Sequence, residues 1–319
     1  MMPPLSPTLP YRSLNAYLKN RFGERVQKVT LDAGLTCPNR DGRVGWGGCI
    51  YCNARGSGTG AAARGESLSQ QLADGIAKLA RRYQARKFIA YFQSFSNTYA
   101  PLSRLRQLYD QVLVHPQVVG LSIGTRPDCL SSEIIDLLAT YSRSHLVWLE
   151  LGLQSAHDRT LRLLNRGHDV ACFIQAVHQA AARGIQVLAH VILGLPQEDR
   201  ADMLATAQLL GSLPLAGVKI HLLYVIAGTP LAEFYQRGWY TPLSREDYVE
   251  TVVDFIELLP PNLIMHRLTG DPHPEELLAP FWCLDKAAVL QQINTTFLKR
   301  QTCQGRRWTP ELQVSLGRR

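Results

Sequence analysis

Six short runs of apolar, β-favouring residues recur along the chain, at residues 26–31, 88–93, 118–123, 146–151, 185–193 and 218–225. Each is hydrophobic almost throughout rather than alternating, the character of parallel strands covered on both faces. Between them lie stretches with helical periodicity at 68–86, 102–114, 131–141, 171–182 and 201–210. Several of their ends are marked. Pro101 opens the second stretch, Ser131 or Ser132 can cap the third ahead of Glu133, and Arg183-Gly184 closes the fourth.

The alternation of strand and helix, with most repeats close to the roughly 30 residues of a βαβ unit, predicts an α/β fold with a parallel sheet. A barrel and an open doubly wound sheet satisfy the pattern equally. In both, the residues just after each strand are the ones placed to do chemistry. Beyond Tyr224 the rhythm loosens: Gly228-Thr229-Pro230 is a turn, 245–259 reads as a helix, 263–268 as a seventh short strand and 285–299 as a last helix. No linker, low-complexity tract or long repeat interrupts the chain.

Composition adds a globular class: 46% of the 319 residues are hydrophobic and 19% charged, enough for a sizeable core. The formal charge of +8 is unevenly spread. Residues 1–30 hold Arg12, Lys19, Arg21, Arg25 and Lys28 against Glu24, and residues 300–319 hold five arginines against Glu311, so each flank nets +4 and the body between them is neutral. Basic flanks suit a polyanion partner, and they equally suit a surface that merely aids solubility. No proline-free stretch reaches the roughly 18 uncharged apolar residues of a membrane helix, and the start, MMPPLSPTLPYRS, has no apolar signal core. The expectation is a cytoplasmic protein with no membrane partner.

Seven cysteines are odd in number and sparse for this length, which argues against a disulfide framework and for metal or redox chemistry in a reducing compartment. Three of them share one loop after the first strand: Cys37-Pro-Asn-Arg-Asp-Gly-Arg-Val-Gly-Trp-Gly-Gly-Cys49-Ile-Tyr-Cys52. With Gly34, Gly42, Gly45, Gly47 and Gly48 in and before it, this loop can wrap closely around a bound object. Three thiolates make a soft-metal site. A structural zinc ion needs a fourth ligand, which would have to come from a distance such as that of His115. A redox pair of Cys49 and Cys52 would leave Cys37 idle. A [4Fe–4S] cluster held by three cysteines keeps one iron open for chemistry. Cys129, Cys172, Cys283 and Cys303 have no spacing partner and read as ordinary thiols.

The chain resembles the radical S-adenosylmethionine (SAM) superfamily, in its YhcC-type branch related to the radical domain of the elongator catalytic subunit. The resemblance is carried by Phe22-Gly23, the run from Asp32 to Gly42, Gly47-Gly48-Cys49-Ile50-Tyr51-Cys52-Asn53 and Gly124-Thr125-Arg126-Pro127-Asp128. It continues through Glu150-Leu151-Gly152-Leu153-Gln154-Ser155, Asn165-Arg166-Gly167-His168 and Gly194-Leu195-Pro196, and spans residues 11–305. The cysteine spacing departs from the commonest radical-SAM pattern of three and two residues but agrees with this branch.

The resemblance implies a partial (β/α)6 barrel over residues 31–225, preceded by the basic flank 1–30. A short C-terminal α/β extension, 226–299, would close the barrel ahead of the basic tail 300–319. Cys37, Cys49 and Cys52 would bind three irons of a [4Fe–4S] cluster and SAM the fourth. Reduction by a flavodoxin- or ferredoxin-type protein would give a 5′-deoxyadenosyl radical that takes hydrogen from the substrate. Gln93 and Asn97 are candidates for the SAM amino group, Gln154 for its ribose and Arg166 for its carboxylate. Gly194 would let backbone approach adenine. Thr125 and Arg126, which follow the third strand with Pro127 keeping Arg126 extended, and Glu150 are further cofactor-binding candidates.

Glu150, between Leu149 and Leu151, needs a partner if buried, and a structural ion pair is its plainest role. His190 and His221 are lone histidines in apolar strands, more often core residues than site residues. Arg267 could face an anionic substrate. The elongator relationship points to the C5 substituent of the wobble uridine in tRNA. Since no acetyltransferase-sized domain fits after residue 225, remodelling of an existing side chain is the expected reaction. Arg306, Arg307 and Trp308 are the expected RNA contacts. A small-molecule or protein substrate, and a non-enzymatic iron–sulfur or zinc module binding RNA, are the alternatives.

Overall fold

The structure, a computed structural model, describes residues 9–56 and 58–310. In chain order its strands are β1 (Val26–Leu31), β2 (Lys87–Phe92), β3 (Val118–Thr125), β4 (Leu146–Gln154), β5 (Gln186–Leu193), β6 (Gly217–Leu222), β7 (Val225–Ile226), β8 (Ile264–Arg267) and β9 (Leu277–Ala279). The helices are α1 (Leu14–Phe22), α2 (Leu68–Tyr83), α3 (Leu102–Leu113), α4 (Ser132–Ser142), α5 (Asp158–Leu163), α6 (Val170–Ala181), α7 (Arg200–Ser212), α8 (Pro230–Gln236), α9 (Arg245–Glu257) and α10 (Lys286–Lys299).

Strands β1 to β6 pair in parallel in sequence order and β8 extends the sheet beyond β6, making seven strands; β7 and β9 form a separate antiparallel pair. A doubly wound sheet would reverse its strand order partway. None is reversed here, so the sheet winds one way and curls. The curl brings the two edges together: Lys28 Nζ in β1 lies 3.4 Å from His266 Nδ1 in β8. Ser13, which caps α1, bridges Met265 of β8, and Met265 N donates to Arg12 O at 2.8 Å, so the N-terminal segment covers the gap. The fold is therefore the partial barrel expected from the sequence, with the seventh strand supplied by the C-terminal extension.

Side-chain alternation sorts the barrel into shells. Outward positions such as Val29, Phe92, Ile123, Leu149, Val187 and Ile220 pack with the helices in one apolar core. Inward positions at the strand N-termini, Val26, Ile89, Leu146, Trp148 and Leu188, form a second cluster with Leu18 of α1 and plug that end. One step further along, the inward positions become polar: Lys28, Tyr91, Ser122, Glu150, His190 and Lys219. Trp148 separates plug from polar layer, with its indole donating to Gln186 Oε1 at 2.8 Å and its ring 4.6 Å from Lys28 Nζ.

Most elements match the hydrophobic pattern within a few residues, and Ser131 caps α4 as the sequence suggested. Helices α1, α5 and α8 were not foreseen; at nine residues or fewer they are too short for a 3.6-residue repeat to stand out. The strand β1 begins inside the basic N-terminal segment, so Lys28 is a barrel residue and not a free flank charge. The described part of the tail is likewise bound to the body. Arg300 pairs with Glu250 and, at 2.7 Å, Asp254; Arg307 lies 3.5 Å from Glu257; Trp308 Nε1 donates to Gly211 O at 3.1 Å. Residues 1–8 and 311–319, with Arg318 and Arg319, lie outside the described residues.

Because Trp148 is fully buried and plugs the barrel, Trp148→Ala should lower unfolding stability by about 3–5 kcal/mol, measured by urea denaturation.

Candidate active site

A cavity of about 570 Å³ opens at the C-terminal ends of the strands, within the size range of small-molecule sites. Cys37, Cys49 and Cys52 all line it. The loop that carries them is held by short backbone bonds, Arg40 N to Cys37 O at 2.8 Å, Gly48 N to Asn39 O at 2.8 Å and Cys52 N to Cys49 O at 2.9 Å. Gly48 has φ +80°, and a Cβ there would stand 2.9 Å from Arg40 Nε, so the turn into Cys49 requires glycine.

The residues after α5 fasten this loop from the side. Asn165 Nδ2 donates to Gly48 O at 2.8 Å, Ile50 N to Leu164 O at 3.1 Å, and Asn39 Nδ2 to Asn165 O. Arg166 is buried beside Cys49, with Nη1 3.6 Å from its sulfur and Nη2 donating to Gly152 O at 2.8 Å. Its Nε is buried without a hydrogen-bond partner among the described residues. Burial opposes its charge, but the neighbouring Tyr51 and Cys49 outweigh that and raise its pKa. A Cβ on Gly152 would meet Arg166 Nη2 at 2.5 Å and Gln154 Nε2 at 2.7 Å, so this glycine lets both side chains cross the end of β4. Gln154 itself sits at φ +79°, strain of the kind that gathers at functional sites.

Of the other candidates, Gln93, Thr125, Arg126 and Glu150 also line the cavity. Thr125 Oγ1 is 2.6 Å from Thr98 Oγ1, and Arg126 grips Asp128 through Nε at 2.8 Å and Nη2 at 2.6 Å. Asn97 and Gly194 are not among the lining residues. Asn97 is fully buried and donates through Nδ2 to Gly124 O at 2.8 Å, tying the loop after β2 to β3. Gly194, at φ +81°, donates to the Met203 sulfur and accepts from Tyr240 Oη at 2.8 Å. None of Cys129, Cys172, Cys283 and Cys303 lines the cavity, and burial pushes the Cys129 thiol up to about 12.

Beneath the cavity lies the polar layer. Glu150 is buried and accepts from Lys28 Nζ at 2.6 Å, from His190 Nε2 at 2.7 Å, and from Ser122 Oγ and Lys219 Nζ. Burial would raise its carboxyl pKa, but Lys219, Lys28 and His190 outweigh it and hold the group well below the usual carboxylate range. Burial drives Lys219 down to about 7 against the pull of Glu150, and His190 down to about 4, leaving the imidazole neutral at physiological pH. Lys28, Lys219 and Tyr91 were missed as site residues by sequence reasoning. The available signal was period-two: Lys28 and Thr30 alternate with Val29 and Leu31, and Lys219 and His221 with Val218 and Ile220.

Among the described residues no three His, Cys, Asp or Glu side chains gather as around one metal ion. The three cysteines nevertheless face one cavity. That suits a polynuclear cluster, whose separate irons take separate thiolates, better than a tetrahedral zinc ion. The buried Arg166, with a sulfur and a carbonyl as its only bonded partners among the described residues, supplies a cation beside such a site.

Removing Glu150 would leave two lysines buried without a counter-charge. Glu150→Gln should cost about 3–5 kcal/mol near neutral pH, and adding Lys219→Met should return part of it, both read from a double-mutant denaturation cycle. The folded carboxyl titrates below its unfolded value of about 4.3, so its contribution is complete above that pH and is lost as pH falls through the folded pKa. The variant should therefore lose part of the acid-side decline in stability.

Residues 39–210 match the Radical SAM superfamily and residues 215–299 the Radical_SAM C-terminal domain. The uncharacterized protein YtqA of Bacillus subtilis (strain 168) is 44% identical over 296 residues, 93% of this chain and 92% of that one. Protein YhcC of Escherichia coli (strain K12) is 39% identical over 298 residues, 92% and 95%. Among solved structures, the archaeal Methanocaldococcus infernus Elp3 with an N-terminal deletion matches at a TM-score of 0.66 and 19% identity, over 88% of this chain and 64% of that one, a likeness of fold. No helix among the described residues is long and apolar enough to cross a membrane. Sequence matches that run through both the cysteine loop and the barrel thus agree with the geometry, and the chain belongs to the Radical SAM superfamily, enzymes that use a [4Fe–4S] cluster and S-adenosylmethionine.

Proposed function

We propose that this radical SAM enzyme remodels an existing C5 side chain of the wobble uridine in tRNA by hydrogen abstraction. The reading is supported by the elongator resemblance of the sequence around the cysteine loop, and by a barrel whose interior stays open above a polar floor beneath that loop. When bound and reduced by a flavodoxin- or ferredoxin-type protein, the cofactors supply a carbon radical that takes hydrogen from the substrate.

The chain's own residues provide the frame. Cys37, Cys49 and Cys52 hold the cluster. Arg166, with its Nε–H unpartnered among the described residues, would bind a carboxylate of SAM, and Gln154, at the end of β4, would bind its ribose. Gln93, Thr125 and Arg126 complete that wall, Arg126 fixed by its two bonds to Asp128. Glu150 is a positioning residue, since its oxygens already serve Lys28, Ser122, His190 and Lys219. Asn97 and Gly194 act through the backbone they tie down. Arg55, paired with Glu276 across the mouth, helps shield the cavity from water.

The RNA contacts nearest the reacting base belong to the cysteine loop. Arg43 and Trp46 are exposed there, Trp46 to 74%, offering charge and a stacking face. The flanks meet each other at the opposite end of the barrel, where Gln304 N donates to Pro10 O at 2.9 Å and its Oε1 accepts from Arg12 N at 2.9 Å. Their exposed groups, Lys19, Arg21 and Arg306, serve only parts of a tRNA distant from its wobble base.

Anaerobic reconstitution should give about four irons and four sulfides per chain, with deoxyadenosine released from SAM under reduction, and Cys52→Ala should lose both. Nucleoside profiles of tRNA from cells with and without the gene should differ at the wobble uridine; unchanged profiles would turn the search to a small-molecule or protein substrate. Trp46→Ala should weaken tRNA binding by about 1–3 kcal/mol, and Arg43→Ala should lower the salt slope by about one, both measured by filter binding.

A further inference from the structure

The floor of the cavity carries more cationic donors than its one carboxylate can use. Lys28 spends its three N–H groups within the layer, on Glu150 at 2.6 Å, Ser122 Oγ at 3.0 Å and His266 Nδ1 at 3.4 Å. Lys219 has only Glu150 as a hydrogen-bond partner among the described residues, besides the Tyr91 ring 4.1 Å away. An ammonium has three donors, so Lys219 keeps N–H capacity on the wall of the cavity it lines.

Two further polar groups border the same space. Arg267, at the end of β8, has Asp271 as its nearest carboxylate, 3.6 Å away, and that side chain is 56% exposed and shared with Lys286. His221 is the next inward position beyond Lys219 on β6, and its buried Nε2 has no hydrogen-bond partner among the described residues. Arg267 and Lys219 both lie close enough to His221 to disfavour its charged form, after burial and His190. All three groups line the same cavity. Against Glu150 stand Lys28 and Lys219, with Arg267 and its exposed partner Asp271 beside them and His190 and His266 neutral through burial. A cation excess out of water is unfavourable until an anion joins it.

We propose that Lys219, His221 and Arg267 receive a carboxylate of the substrate at the cavity floor. Resting on the wobble-uridine reading, that carboxylate would end the C5 side chain. The carboxylate of SAM is the other source of the same chemistry, but Arg166, against Cys49, is the cation beside the cysteines. Lys219 and Arg267 have no bond to that loop among the described residues. The burial and the like charges of Lys28 and Arg267 that hold Lys219 down to about 7 also mean that an arriving anion would restore its full charge.

Bromide, located by anomalous scattering in crystals of the reconstituted holoenzyme, tests the floor directly. A bromide in contact with Lys219 and Arg267, lost in Lys219→Met and in Arg267→Gln, is expected. A bare floor in crystals holding bromide elsewhere overturns the proposal. The nucleoside 5-carboxymethyluridine and its amide, 5-carbamoylmethyluridine, then separate the sources by calorimetry. The acid should bind about tenfold more tightly than the amide, as a charge-assisted hydrogen bond gives, and either variant should erase most of that preference. Equal affinity for acid and amide overturns the proposal while leaving the uridine reading intact. Failure of both to bind, with bromide seated on the floor, overturns the uridine reading and keeps the anion site. A SAM affinity reduced about tenfold in both variants would assign the floor to SAM and overturn the proposal.

Discussion

Glu150 accepts from two lysines, a serine and a histidine at the waist of the barrel, and Glu150, Ser122 and Lys219 are buried. An unpaired ammonium at that depth would be strongly unfavourable, and two would be more so. The carboxylate is what allows a polar layer to exist directly above the apolar plug of Trp148, Ile89 and Leu188. Without it the inward positions of β1, β4, β5 and β6 would have to be apolar, and close packing would fill the space now open above them. The cavity exists because its floor is charged and paired, and the strands that hold the floor also set the height of the cysteine loop.

Two rigid bodies of contact thus face each other across the cavity. At the rim, Asn165 and Arg166 clamp the loop of Cys37, Cys49 and Cys52, and Gly152 admits the side chains of Arg166 and Gln154 over the end of β4. At the floor, Lys219 and His221 stand on consecutive inward positions of β6. The rim, where the cofactors would act, and the floor, proposed for substrate recognition, are separated by the depth of the barrel, so a reacting carbon held between them would meet both.

The strands were legible because helices cover their outer faces and the inner faces near the N-termini are apolar, leaving long hydrophobic runs. The cysteine loop was legible from spacing alone. Glu150 announced its need for a partner, but Lys28 and Lys219 did not announce themselves as that partner, since each is a single charge in an apolar run and its inward direction depends on the curl of the whole sheet. The basic tail shows a related effect. Arg307 and Trp308 have the composition of an RNA contact, and Glu257 and Gly211, distant in sequence, already engage the guanidinium and the indole N–H while Arg306 stays exposed. Local composition shows what a residue can bind, and only packing shows whether it is already bound.

Three thiolates on a four-iron cluster would leave one iron open to SAM. Electron paramagnetic resonance of the reduced, reconstituted protein addresses it directly. A reduced [4Fe–4S] signal whose shape changes when SAM is added is expected, because SAM would then join the ligands of the cluster. A reduced-cluster signal that is indifferent to saturating SAM would contradict it.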